Sequence, residues 1–374
     1  MTDVYNAYLT STGRFLPGPP INNDQIEDHL GRVHGKPSRL KAKILASNGI
    51  KTRHYAIDKL QQTQYLNCDM GANAARDCLQ RCGLRVSEIE MLAAATSQGD
   101  LVLPGFGSML QAAMELPDIE LLTAHGICSS SLMALKSAAN AIRLGEHSKA
   151  LVVASEFASR LFKASRYEAL DKHYGQDFNA EFLRWMLSDG AGAVLLENAP
   201  RGRCLQIEWI KSFSHADAFP VCMSVGQAKD GRQSWQDYPS YAEAEAAGAL
   251  LLRQDVRLLD NMVKLGVDGF LRLLASELVT VSSIDHVLCH YSSDFFRSKI
   301  FDLLSAAGAM VPEERWYTNL YERGNTGCAS IFIMLDEFLR SRKPAPGEKV
   351  FCMVPESGRF NTAYMLLNVV DANA

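Results

Sequence analysis

Leu121-Leu-Thr-Ala-His-Gly-Ile-Cys128-Ser-Ser-Ser-Leu-Met-Ala-Leu135 decides the reading of this chain. A strand-like apolar run, Leu121 to Ala124, breaks at Gly126, after which Leu132, Leu135, Ala139 and Ile142 recur at helical spacing. The strand therefore turns abruptly into a helix, with Cys128 predicted in its first turn. Unpartnered backbone N–H groups and the helix dipole favour an anion at that place, so the spacing predicts a nucleophilic thiolate. The competing reading is a small buried hydrophobe, since free cysteine is among the most buried residue types. Ser129, Ser130 and Ser131 weigh against a fully apolar pocket.

The same strand-then-helix pattern spreads outward in both directions. Met91 to Thr96, Ala150 to Ser155 and Ala191 to Leu196 read as strands in the first half. His286 to His290, Trp316 to Leu320, Lys349 to Val354 and Tyr364 to Val370 read as strands in the second. Ile331, Met334, Leu335 and Phe338 mark a late helix, and the alternation argues for α/β layering. Ser214 to Ala247 mixes charges, aromatics and glycine, which predicts loops or capping helices. No repeat is visible residue by residue.

Two more residues draw attention. His290 ends an apolar run directly before Tyr291-Ser-Ser-Asp, and alternation along a strand turns Cys289 away from it. A zinc site using His286, Cys289 and His290 is therefore geometrically poor, and a structural histidine is the rival to a catalytic one. Asn325 lies in the glycine-flanked turn Gly324-Asn-Thr-Gly327 that opens the late helix, where a helix cap is the simpler role.

Composition limits the functions open to the chain. Its 374 residues are 47% hydrophobic, enough for a large core. With 38 Lys and Arg against 42 Asp and Glu there is no basic excess for a nucleic-acid backbone. No apolar window approaches a membrane span, and the nine scattered cysteines have no paired metal-ligand spacing. These features point to a cytoplasmic enzyme with neither a metal nor a bound cofactor.

Together these segments resemble the 3-oxoacyl-ACP synthase III-like ketosynthases of the thiolase superfamily. Gly49-Ile-Lys-Thr-Arg53 is similar to an early family segment, and Ser188-Asp-Gly-Ala-Gly-Ala193 to a family strand. Cys128, His290 and Asn325 fall in order at the family's catalytic Cys, His and Asn positions. The resemblance implies a thiolase-like five-layered αβαβα fold of two similar halves, here 1–200 and 201–374, and a homodimer. It implies that Cys128 takes an acyl group from a thioester while His290 and Asn325 stabilise the enolate of a second thioester, giving Claisen-type carbon–carbon bond formation. Backbone N–H groups of Cys128 and Ser357 would form the oxyanion hole, and Leu103, Pro104, Phe106 and Gly358 would border the acyl site. An Asn at the third catalytic position separates this branch from the elongating ketosynthases. Cys352 lies too early before Gly358 to serve as the base of a true thiolase.

Departures from the family pattern narrow the reading. Pro355-Glu-Ser-Gly-Arg-Phe360 replaces a triple glycine, with a local Glu356–Arg359 ion pair as the plain interpretation of its charges. Lys43 and Ser47 stand where priming enzymes hold the adenine end of coenzyme A with Trp and Arg. Substrates are therefore expected as acyl-ACP, with acyl-CoA as the other donor, and Arg297 and Lys299 are candidate contacts for an acidic acyl carrier protein. His290-Tyr-Ser-Ser and Glu356-Ser-Gly-Arg-Phe resemble ketosynthases that make cyclohexanedione precursors of dialkylresorcinols. Two rival functions remain open on sequence: acyl transfer from Cys128 to an oxygen or nitrogen acceptor, and a non-catalytic partner subunit.

Overall fold

The computed structural model describes residues 5–170, 177–229 and 231–373. Ten strands form one hydrogen-bonded sheet: β1 (Tyr8–Phe15), β2 (Met91–Thr96), β3 (Glu120–His125), β4 (Lys149–Glu156), β5 (Gly190–Glu197), β6 (Arg203–Ser214), β7 (His286–Cys289), β8 (Trp316–Tyr317), β9 (Lys349–Glu356) and β10 (Asn361–Asp371). Their spatial order is β8-β7-β9-β10-β6-β1-β5-β4-β2-β3. Read outward from the centre, β1-β5-β4-β2-β3 and β6-β10-β9-β7-β8 are the same arrangement. In each the three outer strands run parallel and the inner pairings are antiparallel. Within the sheet, the described strands of the two arrangements pair where Tyr8 and Leu9 face Gln206 and Leu205.

Six longer helices complete the layers: α1 (Asn67–Cys82), α2 (Phe106–Met114), α3 (Ser130–Leu144), α4 (Leu259–Ala275), α5 (Asp294–Ala306) and α6 (Ser330–Arg342). Leu132, Leu135 and Ile142 of α3 share one core with Ile331, Phe332 and Leu335 of α6 and with the facing strands of both arrangements. The outer helices α1, α2, α4 and α5 pack in a second core on the far faces. The result is the five-layered α/β fold expected from the sequence.

Burial on both faces explains why several strands carry no polar alternation. All six residues of β2 and all eight of β5 are buried, as befits strands covered on both sides. Small residues in β5 set the distance to the central layer. A Cβ at Gly192 would stand 2.6 Å from Phe332 Cβ and 3.0 Å from Ile333 N, so α6 lies almost directly on the strand backbone. Gly13 of β1 does the same for α1, where an added Cβ would meet Cys78 N at 2.3 Å and Ala74 O at 2.4 Å. Both neighbours are backbone and cannot rotate away. Gly13→Ala is expected to cost about 3 kcal/mol by overpacking, read as a lower denaturation midpoint in urea with an unchanged slope.

Two sequence expectations are corrected here. Of the strand expected from Trp316 to Leu320, only Trp316 and Tyr317 pair with β7. Thr318 Oγ1 accepts from Leu320 N at 3.2 Å and Asn319 O from Arg323 N at 3.0 Å, winding the chain into a helical turn. His290 lies just past β7, although its N–H still donates to Met353 O at 2.9 Å. After Ser214, which ends β6, the described residues as far as Ala247 form a two-residue strand and short helices, as the weak periodicity of the segment predicts.

Candidate active site

Cys128 sits in the turn between β3 and α3, two residues ahead of the first helical residue, and is 6% exposed. The serines that follow are spent on this turn. Ser130 Oγ donates to Ile127 O at 2.7 Å and Ser131 Oγ to Cys128 O at 3.5 Å. Ser129 donates both its N–H, at 3.0 Å, and its hydroxyl, at 2.6 Å, to Glu356 Oε2. Glu356 and Arg359 do not form the simple ion pair expected, because Glu356 faces Ser129 while Arg359 Nε donates to Phe219 O at 2.9 Å.

Asn325 is fixed by backbone on two sides. Its N–H donates to Met186 O at 3.1 Å and its carbonyl accepts from Ser188 N at 2.8 Å, a short parallel bridge to the segment leading into β5. Gly324 makes this close approach possible, for its φ is +70° and a Cβ would meet Ser188 Cβ at 2.9 Å. The carboxamide Oδ1 accepts from Gly327 N at 3.0 Å, so the residue shapes its own turn and does not cap α6.

Cys128, Asn325 and Ser357 line one cavity of about 320 Å³, together with Glu156 and Ser292. Its walls are mainly apolar, with Phe157, Leu161, Phe182, Met186, Met223 and Val225. Met223 and Val225 come from the poorly periodic segment between the halves, which so contributes to the cavity wall. The His290 ring is not part of this lining, although Ser292, two residues on, is. It is 4% exposed, and its Nε2 has no hydrogen-bond partner among the described residues.

Electrostatics here differs from the sequence expectation. Burial, reinforced by the carboxylates of Glu356 and Glu156, pushes the Cys128 thiol up, opposite to the depression expected from a helix start. The resting sulfur is a neutral thiol. Burial alone pushes His290 down to about 4, so its imidazole is uncharged at neutral pH.

Leu103, Pro104, Phe106 and Gly358 do not line the cavity. Leu101, Val102 and Leu103 are exposed, with Leu103 at 83%. Phe106 opens α2 and is buried in the outer core against Gly71. Gly358 packs against Ile127, and its carbonyl accepts from Cys222 and Met223 N–H groups. Among the candidate carrier-protein contacts, Arg297 pairs with Glu313 and Lys299 with Asp260. Lys43 lies over the Phe178 ring. Sequence reasoning missed Glu156, a carboxylate that closes an otherwise apolar run at the C-terminal end of a parallel strand, where α/β sheets place their ligands. Its carboxylate accepts from Ser97 N, Ser97 Oγ and Cys328 N, and burial holds its pKa up.

Comparison with known proteins agrees with this architecture. The chain matches the 3-oxoacyl-[acyl-carrier-protein] synthase III family over residues 124–213 and that family's C-terminal region over 274–364. It is 25% identical over 345 residues to the beta-ketoacyl-[acyl-carrier-protein] synthase III of Hyphomonas neptunium (strain ATCC 15444), covering 92% of this chain and 93% of that one. Among solved structures, AbyA1, a tetronic acid condensing enzyme, superposes with a TM-score of 0.77 at 18% identity, covering 97% and 99% of the two chains. Xanthomonas campestris OleA, crystallised with lauric acid and lauroyl-CoA, superposes at 0.76 and 17% identity with the same coverage. At these identities the two structures speak for the fold.

Proposed function

The chain is a 3-oxoacyl-ACP synthase III-like ketosynthase of the thiolase superfamily, and from that premise we propose that it joins two acyl thioesters through an acyl group held on Cys128. One observation carries this reading: a buried cysteine, a carboxamide and the Ser357 turn surround a single apolar cavity. Cys128 Sγ attacks the carbonyl carbon of the first thioester, and the donor thiol leaves with the proton the cysteine gives up. Because Cys128 rests as a thiol, its proton has to be taken up as Sγ attacks, and burial, which keeps the His290 imidazole uncharged, leaves it only a weak acceptor, so acylation is favoured at higher pH. The backbone N–H groups of Cys128 and Ser357 would hold the developing oxyanion.

The second thioester then presents its carbonyl oxygen to His290 Nε2 and the Asn325 carboxamide. Both are neutral donors, and their hydrogen bonds strengthen as enolate charge develops. Loss of an α-proton or of carbon dioxide supplies the carbanion, which attacks the acyl carbon and releases the Cys128 thiolate.

Glu156 favours the first source of carbanion. A 3-oxoacyl thioester has an acidic α-carbon between two carbonyls, and a buried carboxylate in the same cavity is placed to remove its proton. This fits the finer reading, a cyclohexanedione precursor of dialkylresorcinols assembled from a 3-oxoacyl and an unsaturated acyl thioester. Mass spectrometry of products from the two thioesters tests it. A new carbon–carbon bond in a six-membered dione supports it, and an ester or amide product would sink it in favour of simple acyl transfer. Glu156→Gln is expected to lower condensation of a 3-oxoacyl thioester about 100-fold while acylation of Cys128 continues.

A homodimer is the assembly these features support. β3 is the outermost strand, with one edge unpaired among the described residues, and the apolar residues Leu101, Val102 and Leu103 stand exposed. In such a dimer Leu103 and Pro104 would be covered by the partner. Acyl carrier protein and coenzyme A are the proposed donors. No helix among the described residues is long and apolar enough to cross a membrane.

A further inference from the structure

Glu356 ends β9, pairs in register with Asn361 of β10, and reaches across to the Cys128 turn. Its Oε2 accepts from both the N–H and the hydroxyl of Ser129, the residue after the nucleophile. Asn361 Nδ2 donates to the same hydroxyl at 2.8 Å, and Asn361 Oδ1 in turn accepts from Ser212 at 3.0 Å. The backbone of Ile127, the residue before the nucleophile, also stabilises the charged form of Glu356. One carboxylate thus reaches the residues on both sides of Cys128, while Ser357 follows it directly in sequence. A second cavity of about 290 Å³ is lined by Ser129, Glu356, Arg359 and Asn361.

We propose that Glu356 is a positioning residue for acyl transfer: its carboxylate ties the turn carrying Cys128 to the turn carrying Ser357, so that the two backbone N–H groups address one acyl oxygen. The proposal rests on the reading of Cys128 as the acyl carrier. An oxyanion hole built from two distant parts of the chain needs a link between them, since misplacement of either donor forfeits the charge stabilisation. The same carboxylate acts on the sulfur. The titratable groups around Cys128 are Glu356 from β9, Glu156 from β4, Cys328 from the turn before α6, and His125 at the end of β3. Glu356 is the larger of the two carboxylate influences that hold the thiol protonated.

Two reactions of Cys128 separate positioning from mere structure. Acyl transfer from octanoyl- or lauroyl-CoA, followed by intact-protein mass, needs the oxyanion hole. Alkylation of Cys128 by iodoacetamide, followed by peptide mass, needs only the thiolate. In Glu356→Ala, acylation is expected to fall about 100-fold while alkylation at the same pH is unchanged or faster. Glu356→Gln keeps one acceptor for Ser129 and should recover acylation to within about 10-fold of the parent, with its alkylation profile moved to lower pH. Wild-type acylation in Glu356→Ala overturns the proposal, as does an equal loss of acylation and alkylation. If the parent protein alkylates but accepts no acyl group, the acyl-carrier reading fails. Glu356 is then judged by alkylation alone, and an unchanged pH profile in Glu356→Gln overturns its assignment.

Discussion

Incubated with acyl thioesters, Cys128→Ala is expected to gain no mass, while the parent protein gains one acyl group. Nine cysteines are present, but the other eight differ from Cys128 in their surroundings. Cys78, Cys289 and Cys352 are buried in the apolar cores, where desolvation pushes their thiols far up. None of the eight lines the cavity shared by Asn325, Glu156 and Ser357. Cys128 is there, at the end of a parallel strand and ahead of a helix, so the loss should be complete at the detection limit. An acyl adduct of undiminished size on Cys128→Ala would refute the mechanism at its first step.

His290→Ala should separate the two half-reactions. Acylation is expected to be slowed but still observable, since the Cys128 and Ser357 backbone donors remain. Condensation, which also needs Nε2 to hold the enolate oxygen, is expected to fall about 10³-fold, roughly 4 kcal/mol of transition-state stabilisation. Stopped-flow acylation and single-turnover product formation measure the two separately. Equal losses in both would show that His290 acts only in the first step.

The pH dependence follows from the same two groups. His290, pushed down to about 4, is uncharged from about pH 5 upward, so protonation of His290 should impose no acid limb on condensation in that range. Cys128, pushed up, should make acylation rise with pH through neutrality. An acid limb near pH 6.5 in single-turnover condensation that persists in the other cavity variants would contradict the burial of His290.

The strand-turn-helix at Cys128 was legible because a sharp change in hydrophobic period coincides with Gly126. The strands β2, β4 and β5 were legible because burial on both faces leaves continuous apolar runs. β1 and β6 were missed: they join the two arrangements and mix half-buried positions, and in β6 exposed ones, with buried ones, so neither alternation nor a continuous run is clear. Helix α1 was missed because its buried face is built from Ala, Gly and Cys, small residues that close approach to Gly13 requires.

By itself the sequence determined the layered α/β fold, the order of Cys128, His290 and Asn325, and the family they mark, because these depend on local period and on ordered motifs. Only the tertiary structure decided which side chains share the cavity. It placed Glu156 and Ser357 there, left Phe106 in the outer core, turned Glu356 toward Ser129, and made Cys128 a neutral thiol. The physical reason is that burial and charge proximity depend on residues more than two hundred positions apart, such as Ser129 and Glu356, and no local pattern records that distance.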